Sequence, residues 1–218
     1  MLIIFDLDDT LIDTSGCIIQ LKLKDALQAM VNAGLKVNSF EESLDLLDEV
    51  DSTSPNGEET LRSFLKQIGA DTSFLEIGSE EMHKPVSEDI VINQLEGASE
   101  ILSHLKKQKN TLALVSKGKE ELQFQKMSKA EIGRDIFSKI IITDEYNKKD
   151  KYKELMEEFS FAPTETIVIG DKFYSDLLPA KELGIKTVQM LWGRALKFPE
   201  EGADFKIKKL EELKEIIR

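Results

Sequence analysis

The 218-residue chain has a single cysteine, Cys17, so no internal disulfide can form, which suits a reducing compartment. No base lies near Cys17 in sequence, and it reads as a small buried hydrophobe rather than a reactive thiol. No apolar run reaches the ~18 residues that a membrane span needs. The opening Met1-Leu2-Ile3-Ile4-Phe5-Asp6 lacks the basic stretch of a signal peptide, because its first charge is an aspartate. Together these features read as a cytoplasmic protein. Positive charge is also in deficit: 41 acidic residues against 29 lysines and arginines leave a formal charge of -12. Such a surface repels nucleic acid and anionic lipid, so neither is an expected partner. A phosphate-bearing ligand would need a local positive focus, such as a metal, a lysine or a helix N-terminus. The two histidines, His83 and His104, lie far apart on helical segments without metal-ligand spacing. A monomer is the default expectation.

What is present is an ordinary globular balance, 41% hydrophobic and 32% charged, enough to bury a core. Leu2-Ile3-Ile4-Phe5 is a short continuous apolar run, the signature of a strand buried on both faces. From Ser15 to Glu96 the pattern is helical instead. Leu23, Ala26, Leu27 and Met30 recur at helical spacing, as do Leu61, Phe64, Leu65 and Ile68, which predicts a bundle of about four helices. Beyond Gly97 strands and helices alternate. Strands are predicted at 111–115, at 140–142 within 137–143, at 166–169 and at 186–190, with a short edge strand at 204–207. Helices are predicted at 99–107, 119–129, 150–159, 175–183 and 210–217. This alternation predicts an α/β fold, a Rossmann-like doubly wound parallel sheet interrupted by an inserted α-helical domain. Residues 1–13 and 97–218 would form the core and residues 14–96 the insert.

In open parallel sheets ligands bind beyond the carboxyl ends of the strands. Those ends are unusually polar here. The first strand runs into Asp6-Leu7-Asp8-Asp9-Thr10, the second into Ser116-Lys117-Gly118, and the strand 166–169 into Gly170-Asp171, with Asp176 five residues on. A lysine-rich turn, Lys148-Lys149-Asp150-Lys151, opens the helix at 150. Asp6 and Asp171, helped by Asp176 and a backbone carbonyl near Asp8, could offer oxygen ligands to Mg²⁺. Ser116 and backbone N–H groups after Asp6 and at Gly118 could receive a phosphoryl group, with Lys117 beside them. Lys149, directly before the helix, is preferred over Lys148, and Lys151 least, as the cation offsetting the phosphate charge. Asp8, crowded by Asp6 and Asp9, is expected to have a raised pKa and to act as general acid.

Each motif also has a plainer reading. An aspartate cluster favours helix starts, Ser116-Lys117-Gly118 could be an ordinary turn, Asp176 could cap its helix, and most of the lysine run is a solvated face. Taken together, Asp6-Leu7-Asp8-Asp9-Thr10-Leu11, Ser116, the Lys148/Lys149 turn and Gly170-Asp171-Lys172-Phe173-Tyr174-Ser175-Asp176 resemble the four motifs of the haloacid dehalogenase-like hydrolase superfamily, in order. The helical insert resembles that family's α-helical cap, and Glu96-Gly97-Ala98-Ser99 its re-entry into the core. The turn before Tyr152 departs from the family pattern in lacking a proline. The resemblance implies that Asp6 attacks phosphorus to form an aspartyl-phosphate, while Asp8 protonates the leaving group and then activates water. Aspartate at position 8 favours phosphatases and phosphomutases over the family's dehalogenases and P-type ATPases. The expected function is therefore Mg²⁺-dependent hydrolysis of a small phosphorylated metabolite. A phosphomutase of the β-phosphoglucomutase type and a non-catalytic binding protein on the same fold are the alternatives.

Overall fold

The computed structural model describes residues 1–197 and 201–217. The chain divides into two compact units, one of Met1–Thr14 with the residues from Val91 onward, the other Ser15–Ile90. The first unit takes up the chain again at Val91 rather than at Gly97. Backbone bonds to the loop after the first strand hold the returning segment: Asp13 N–H to the Asn93 carbonyl and Leu95 N–H to the Leu11 carbonyl, both 2.9 Å. The first strand, β1 (Leu2–Phe5), has every residue buried. A strand with no polar face must be covered on both sides, which is the condition of an inner strand in a parallel sheet.

After β1 comes one helical turn, α1 (Thr14–Cys17), and then the helices of the second unit: α2 (Ile19–Asn32), α3 (Phe40–Thr53), α4 (Gly57–Gln67) and α5 (Phe74–Met82). Leu23, Ala26, Leu27 and Met30 of α2 bury one stripe against Leu47 of α3 and Leu61, Phe64 and Leu65 of α4. The helix starts are set locally. Ser39 accepts from the Glu42 N–H at 3.3 Å and Asn56 from the Glu59 N–H at 3.0 Å, each satisfying one orphan donor of the first turn. A buried lysine, Lys22, donates to the backbone carbonyls of Lys84 and Pro85, which tie the segment after α5 to α2.

The first unit then resumes with α6 (Ala98–Lys107), β2 (Thr111–Lys117), α7 (Glu120–Lys129), β3 (Lys139–Thr143), α8 (Lys149–Phe159), β4 (Thr166–Gly170), α9 (Leu178–Lys181), β5 (Lys186–Met190), α10 (Gly193–Lys197), β6 (Phe205–Ile207) and α11 (Leu213–Ile216). Among the described residues six strands form one sheet, all parallel, in the order β3-β2-β1-β4-β5-β6. The fold is thus a Rossmann-like doubly wound α/β sheet. The chain builds outward from β1 to β3, then returns to lay β4 on the other side of β1. Strand order reverses there, and the crevice beyond the carboxyl ends of β1, β2 and β4 is the topological switch point. Leu2 and Ile4, Ala113 and Val115, and Val168 point to one face and bury Tyr152, Leu155 and Met156 of α8. Register sets Phe5 opposite Leu114 and Ile169, so Asp6, Ser116 and Asp171 come at nearly one level along the carboxyl ends of the strands.

Two local expectations are corrected, and one short helix is added. The helix expected at 175–183 is a wide π turn, Phe173–Leu177, followed by the short α9. Pro179 lacks an N–H and its ring crowds the carbonyl four residues back, so a regular α-turn cannot run through it. The closing helix expected at 210–217 is divided into a 3-10 turn, Leu210–Glu212, and α11. Helix α10, only one turn long, went unanticipated because Gly193 opens it without a periodic apolar stripe.

Candidate active site

The first unit brings most of the predicted side chains together at the switch point. Asp6 follows β1, its N–H still paired to the Ile169 carbonyl at 2.9 Å, so its backbone is fixed by the sheet. The loop after it turns sharply: the Leu7 carbonyl accepts from the N–H groups of Thr10, Leu11 and Ile12, and Asp9 adopts a left-handed φ of 54°. Aspartate is one of the few residues that tolerate that conformation. Asp171 follows β4 and Asp176 lies in the π turn. One oxygen from each of Asp6, Asp171 and Asp176 falls within 4.8 Å of the others. Gly170 makes this possible, because any side chain there would place its Cβ 2.7 Å from the Asp176 Cβ.

Lys148, not Lys149, reaches these carboxylates. Its Nζ lies 2.7 Å from Asp6 Oδ1 and 2.6 Å from Asp176 Oδ1, and the side chain is almost wholly buried. Lys149 points outward to Glu182 at 2.7 Å, and Lys151 pairs with Glu145 at 3.3 Å. The physical reason is register. Lys148 sits at the N-cap of α8, four residues before the buried Tyr152, whereas Lys149 starts the solvated face. The ammonium carries its own support: the buried carboxylates beside it outweigh the desolvation that would neutralise it, so its pKa is pushed well above the usual lysine range. Asp176 also accepts from the Lys172 N–H at 3.0 Å and the Ser175 hydroxyl at 3.2 Å, so both of its oxygens are engaged.

Asp171 is the opposite case. Both of its carboxylate oxygens are buried with no hydrogen-bond partner among the described residues. Burial, opposed by the Lys172 charge and reinforced by Asp176, Asp9 and Asp6, pushes its pKa well up. Burial likewise raises Asp6 to about 6, although Lys148 pulls it down. A pair of orphaned carboxylate oxygens beside a second raised carboxylate is a donor set that fits a hard divalent cation.

Asp8 corrects the expectation of a raised pKa. Burial does act upward on it. The Lys126 ammonium and hydrogen bonds from Lys126, Thr14 and Gln123 outweigh that and hold it at about 2. Lys126 Nζ is 2.8 and 3.0 Å from its two oxygens, and Gln123 Nε2 is 2.9 Å from Oδ2. Neither residue was singled out from the sequence. On α7, helical spacing of a glutamine and a lysine looks like any solvated face, and only the turn of the helix toward β1 reveals them.

Ser116 is buried at the end of β2 with its Oγ 2.6 Å from Gln123 Nε2. Lys117 and Gly118 do not join it. Lys117 is exposed with its Nζ 5.3 Å from the centre of the Tyr146 ring. The Gly118 N–H donates to the Thr143 carbonyl at 2.8 Å and is not free for a phosphate. Gly118 has another role: its φ of +147° and its close approach to the Gln123 side chain would strain any larger residue there.

The fold is that of a doubly wound α/β protein with an acidic centre at its switch point. Comparison with known proteins agrees. The chain matches the haloacid dehalogenase-like hydrolase family over residues 3–190 and belongs to that family. It is 30% identical over 225 residues to the glyceraldehyde 3-phosphate phosphatase of Pyrococcus furiosus, covering 99% of this chain and 92% of that protein. Among solved structures, CbbY of Rhodobacter sphaeroides in complex with phosphate superposes with a TM-score of 0.68 at 20% identity, over 97% of this chain and 95% of that one. The HAD-hydrolase YfnB of Bacillus subtilis, solved bound to magnesium, gives 0.66 at 18% identity over 100% and 98%. At these identities the structural likeness is one of fold. Among the described residues no helix is long and apolar enough to cross a membrane.

Proposed function

We propose that the chain is a Mg²⁺-dependent phosphatase for a small phosphorylated metabolite, with Asp6 as nucleophile and Asp8 as general acid and base. The observation that carries this reading is the set of Asp6, Asp171 and Asp176 oxygens within 4.8 Å, with the Asp171 pair lacking any other partner among the described residues. Asp6 and Asp171, with the Asp8 backbone carbonyl, would hold the metal. Asp176 completes the set and also holds Lys148 and the π turn in place. When bound, Mg²⁺ offsets the repulsion between a carboxylate nucleophile and an anionic phosphate.

The residues themselves would act in two stages. An Asp6 oxygen attacks phosphorus as the bond to the leaving oxygen breaks, and the Asp8 carboxyl delivers its proton to that oxygen. Water then attacks the aspartyl-phosphate, Asp8 takes the water's proton, and the bond from phosphorus to the Asp6 oxygen breaks to free phosphate. With a pKa of about 6, Asp6 is mostly ionised at neutral pH. The approaching phosphate dianion acts upward on the Asp8 pKa by like charge, against the hold of Lys126. The Ser116 hydroxyl and the Lys148 ammonium meet the phosphoryl oxygens.

For substrate, the name of the Pyrococcus furiosus relative supports a three-carbon phosphorylated aldehyde. The test is release of phosphate from a panel of phosphomonoesters that includes glyceraldehyde 3-phosphate, with and without Mg²⁺. Metal-dependent turnover absent from Asp6→Asn is expected. Equal rates for wild type and Asp6→Asn would sink the enzymatic reading, and preference for another ester would sink only the substrate.

A further inference from the structure

Helix α7 carries two buried side chains that none of the recognised motifs accounts for. Gln123 and Lys126 are three residues apart and so share one face of the helix. Gln123 Nε2 lies 2.6 Å from Ser116 Oγ and 2.9 Å from Asp8 Oδ2, so a single amide bridges the hydroxyl at the end of β2 and the carboxylate after β1. It also approaches the Lys117 carbonyl at 3.2 Å, which fixes the amide's own orientation. Lys126 Nζ closes on both Asp8 oxygens, at 2.8 and 3.0 Å, and the Thr14 hydroxyl donates to Oδ1. The carboxylate is therefore gripped from three directions.

Lys126 is only 6% exposed. An ammonium taken that far out of water is costly unless it is paired and hydrogen-bonded. A surface ion pair would have left the lysine solvated and Asp8 free to rotate. Here the lysine is buried and Asp8, its side chain 21% exposed, is held on both oxygens, with its orientation tied through Gln123 to that of Ser116.

We propose that Lys126 and Gln123 are positioning residues for phosphoryl transfer, fixing the Asp8 carboxyl against the leaving-group oxygen and locking its direction to the Ser116 hydroxyl. The proposal rests on the reading of Asp8 as the acid that protonates the leaving group. Neither side chain touches the reacting atoms in this scheme, and both act through Asp8.

The test exploits leaving groups that need different amounts of help. The ratio kcat/KM reports steps through transfer of phosphorus to Asp6 and loss of the alcohol. An alkyl alkoxide must be protonated as it departs, whereas 4-nitrophenolate leaves without a proton. Lys126→Met and Gln123→Met are each measured on a series of phosphomonoesters running from alkyl to 4-nitrophenyl. Each is expected to lose about 10²-fold in kcat/KM on the alkyl esters, as a displaced catalytic group does. On the 4-nitrophenyl ester the loss should stay below about threefold, since general acid help is not needed there. Lys126→Arg should keep most of the wild-type leaving-group dependence. Thermal unfolding followed by tryptophan fluorescence establishes that each variant is folded; should Lys126→Met fail to fold, Gln123→Met and Lys126→Arg carry the comparison. A uniform loss across the series would make these residues substrate contacts or mere scaffold, and no loss would make them idle; either result overturns the proposal. A wild type with no Mg²⁺-dependent turnover above Asp6→Asn refutes the phosphatase reading itself, which is a separate result.

Discussion

Replacing Asp171 with asparagine should give a protein more stable than wild type without metal and less stable than wild type in saturating Mg²⁺. The wild-type carboxylate is 1% exposed, its two oxygens have no hydrogen-bond partner among the described residues, and Asp6 and Asp176 add like charge beside it. Leaving such a group unpaired costs about 1–3 kcal/mol. The isosteric amide removes the charge but still needs partners, so a net gain of about 1–2 kcal/mol is expected without metal. For a chain of this length that is a rise in Tm of roughly 2–8 °C. With Mg²⁺ at a hundred times its dissociation constant, wild type gains about 2.7 kcal/mol and the variant, lacking the ligand, close to nothing. The assay is already built into the chain: its single tryptophan, Trp192, lies in the same unit as the site and donates to Asp13 at 2.8 Å. Its fluorescence during heating, in chelator and in saturating Mg²⁺, should show the variant melting higher in the first and lower in the second. A variant less stable than wild type in chelator, or one that gains as much from Mg²⁺, would refute the assignment of Asp171 as an unsatisfied metal ligand.

Lys148→Met removes the cation shared by Asp6 and Asp176 and should cost about 3–5 kcal/mol in denaturant melts, since it strands two buried carboxylates. Lys149→Ala, which breaks only an exposed pair with Glu182, should stay within about 1 kcal/mol and keep wild-type turnover; a large loss there would restore Lys149 to the site. Asp8, lowered from 3.8 to about 2, contributes roughly 2 kcal/mol that is present above pH 4 and lost as pH falls toward 2; acid melts of Asp8→Asn should lack this loss. Asp6 carries the opposite sign. Its folded pKa is raised from 3.8 to about 6, so metal-free native protein holds a proton that the unfolded chain releases, and stability falls as pH rises from about 4 to about 6. Asp6→Asn should flatten that fall in chelator, and a wild-type curve that rises across the same window would contradict the burial of Asp6.

The parts of the molecule that could be read from sequence are those whose pattern is set by backbone periodicity. Leu2-Ile3-Ile4-Phe5 has no polar face, so only an inner parallel strand suits it, and β1 is indeed central. The stripe Leu23, Ala26, Leu27 and Met30 requires a helix with one buried side. Side-chain direction at a helix start is different in kind. Lys148 and Lys149 differ by one position on α8, about 100° of rotation, and sequence alone does not say which of them faces the sheet. The buried Tyr152, four residues after Lys148, was the available signal. Gln123 and Lys126 gave less still, because their partner Asp8 lies more than a hundred residues away.

That distant pairing also changes what Asp8 can be said to be. Like charge from Asp6 and Asp9 argued for a raised pKa, an argument that counted only neighbours in sequence. Lys126, brought in by α7, reverses the sign, and the two carboxylates of the Asp6-Leu7-Asp8 turn end up on opposite sides of their common starting value, about 6 and about 2. Two identical groups pushed apart by their surroundings are what a two-role site requires. Asp6, buried beside the orphaned Asp171, is the group proposed to meet a cation and attack phosphorus. Asp8, gripped by Lys126 and Gln123, rests as a carboxylate. In the proposed reaction the base of the second stage is then Asp8 in the form the structure already gives it, a carboxylate held by Lys126 and Gln123.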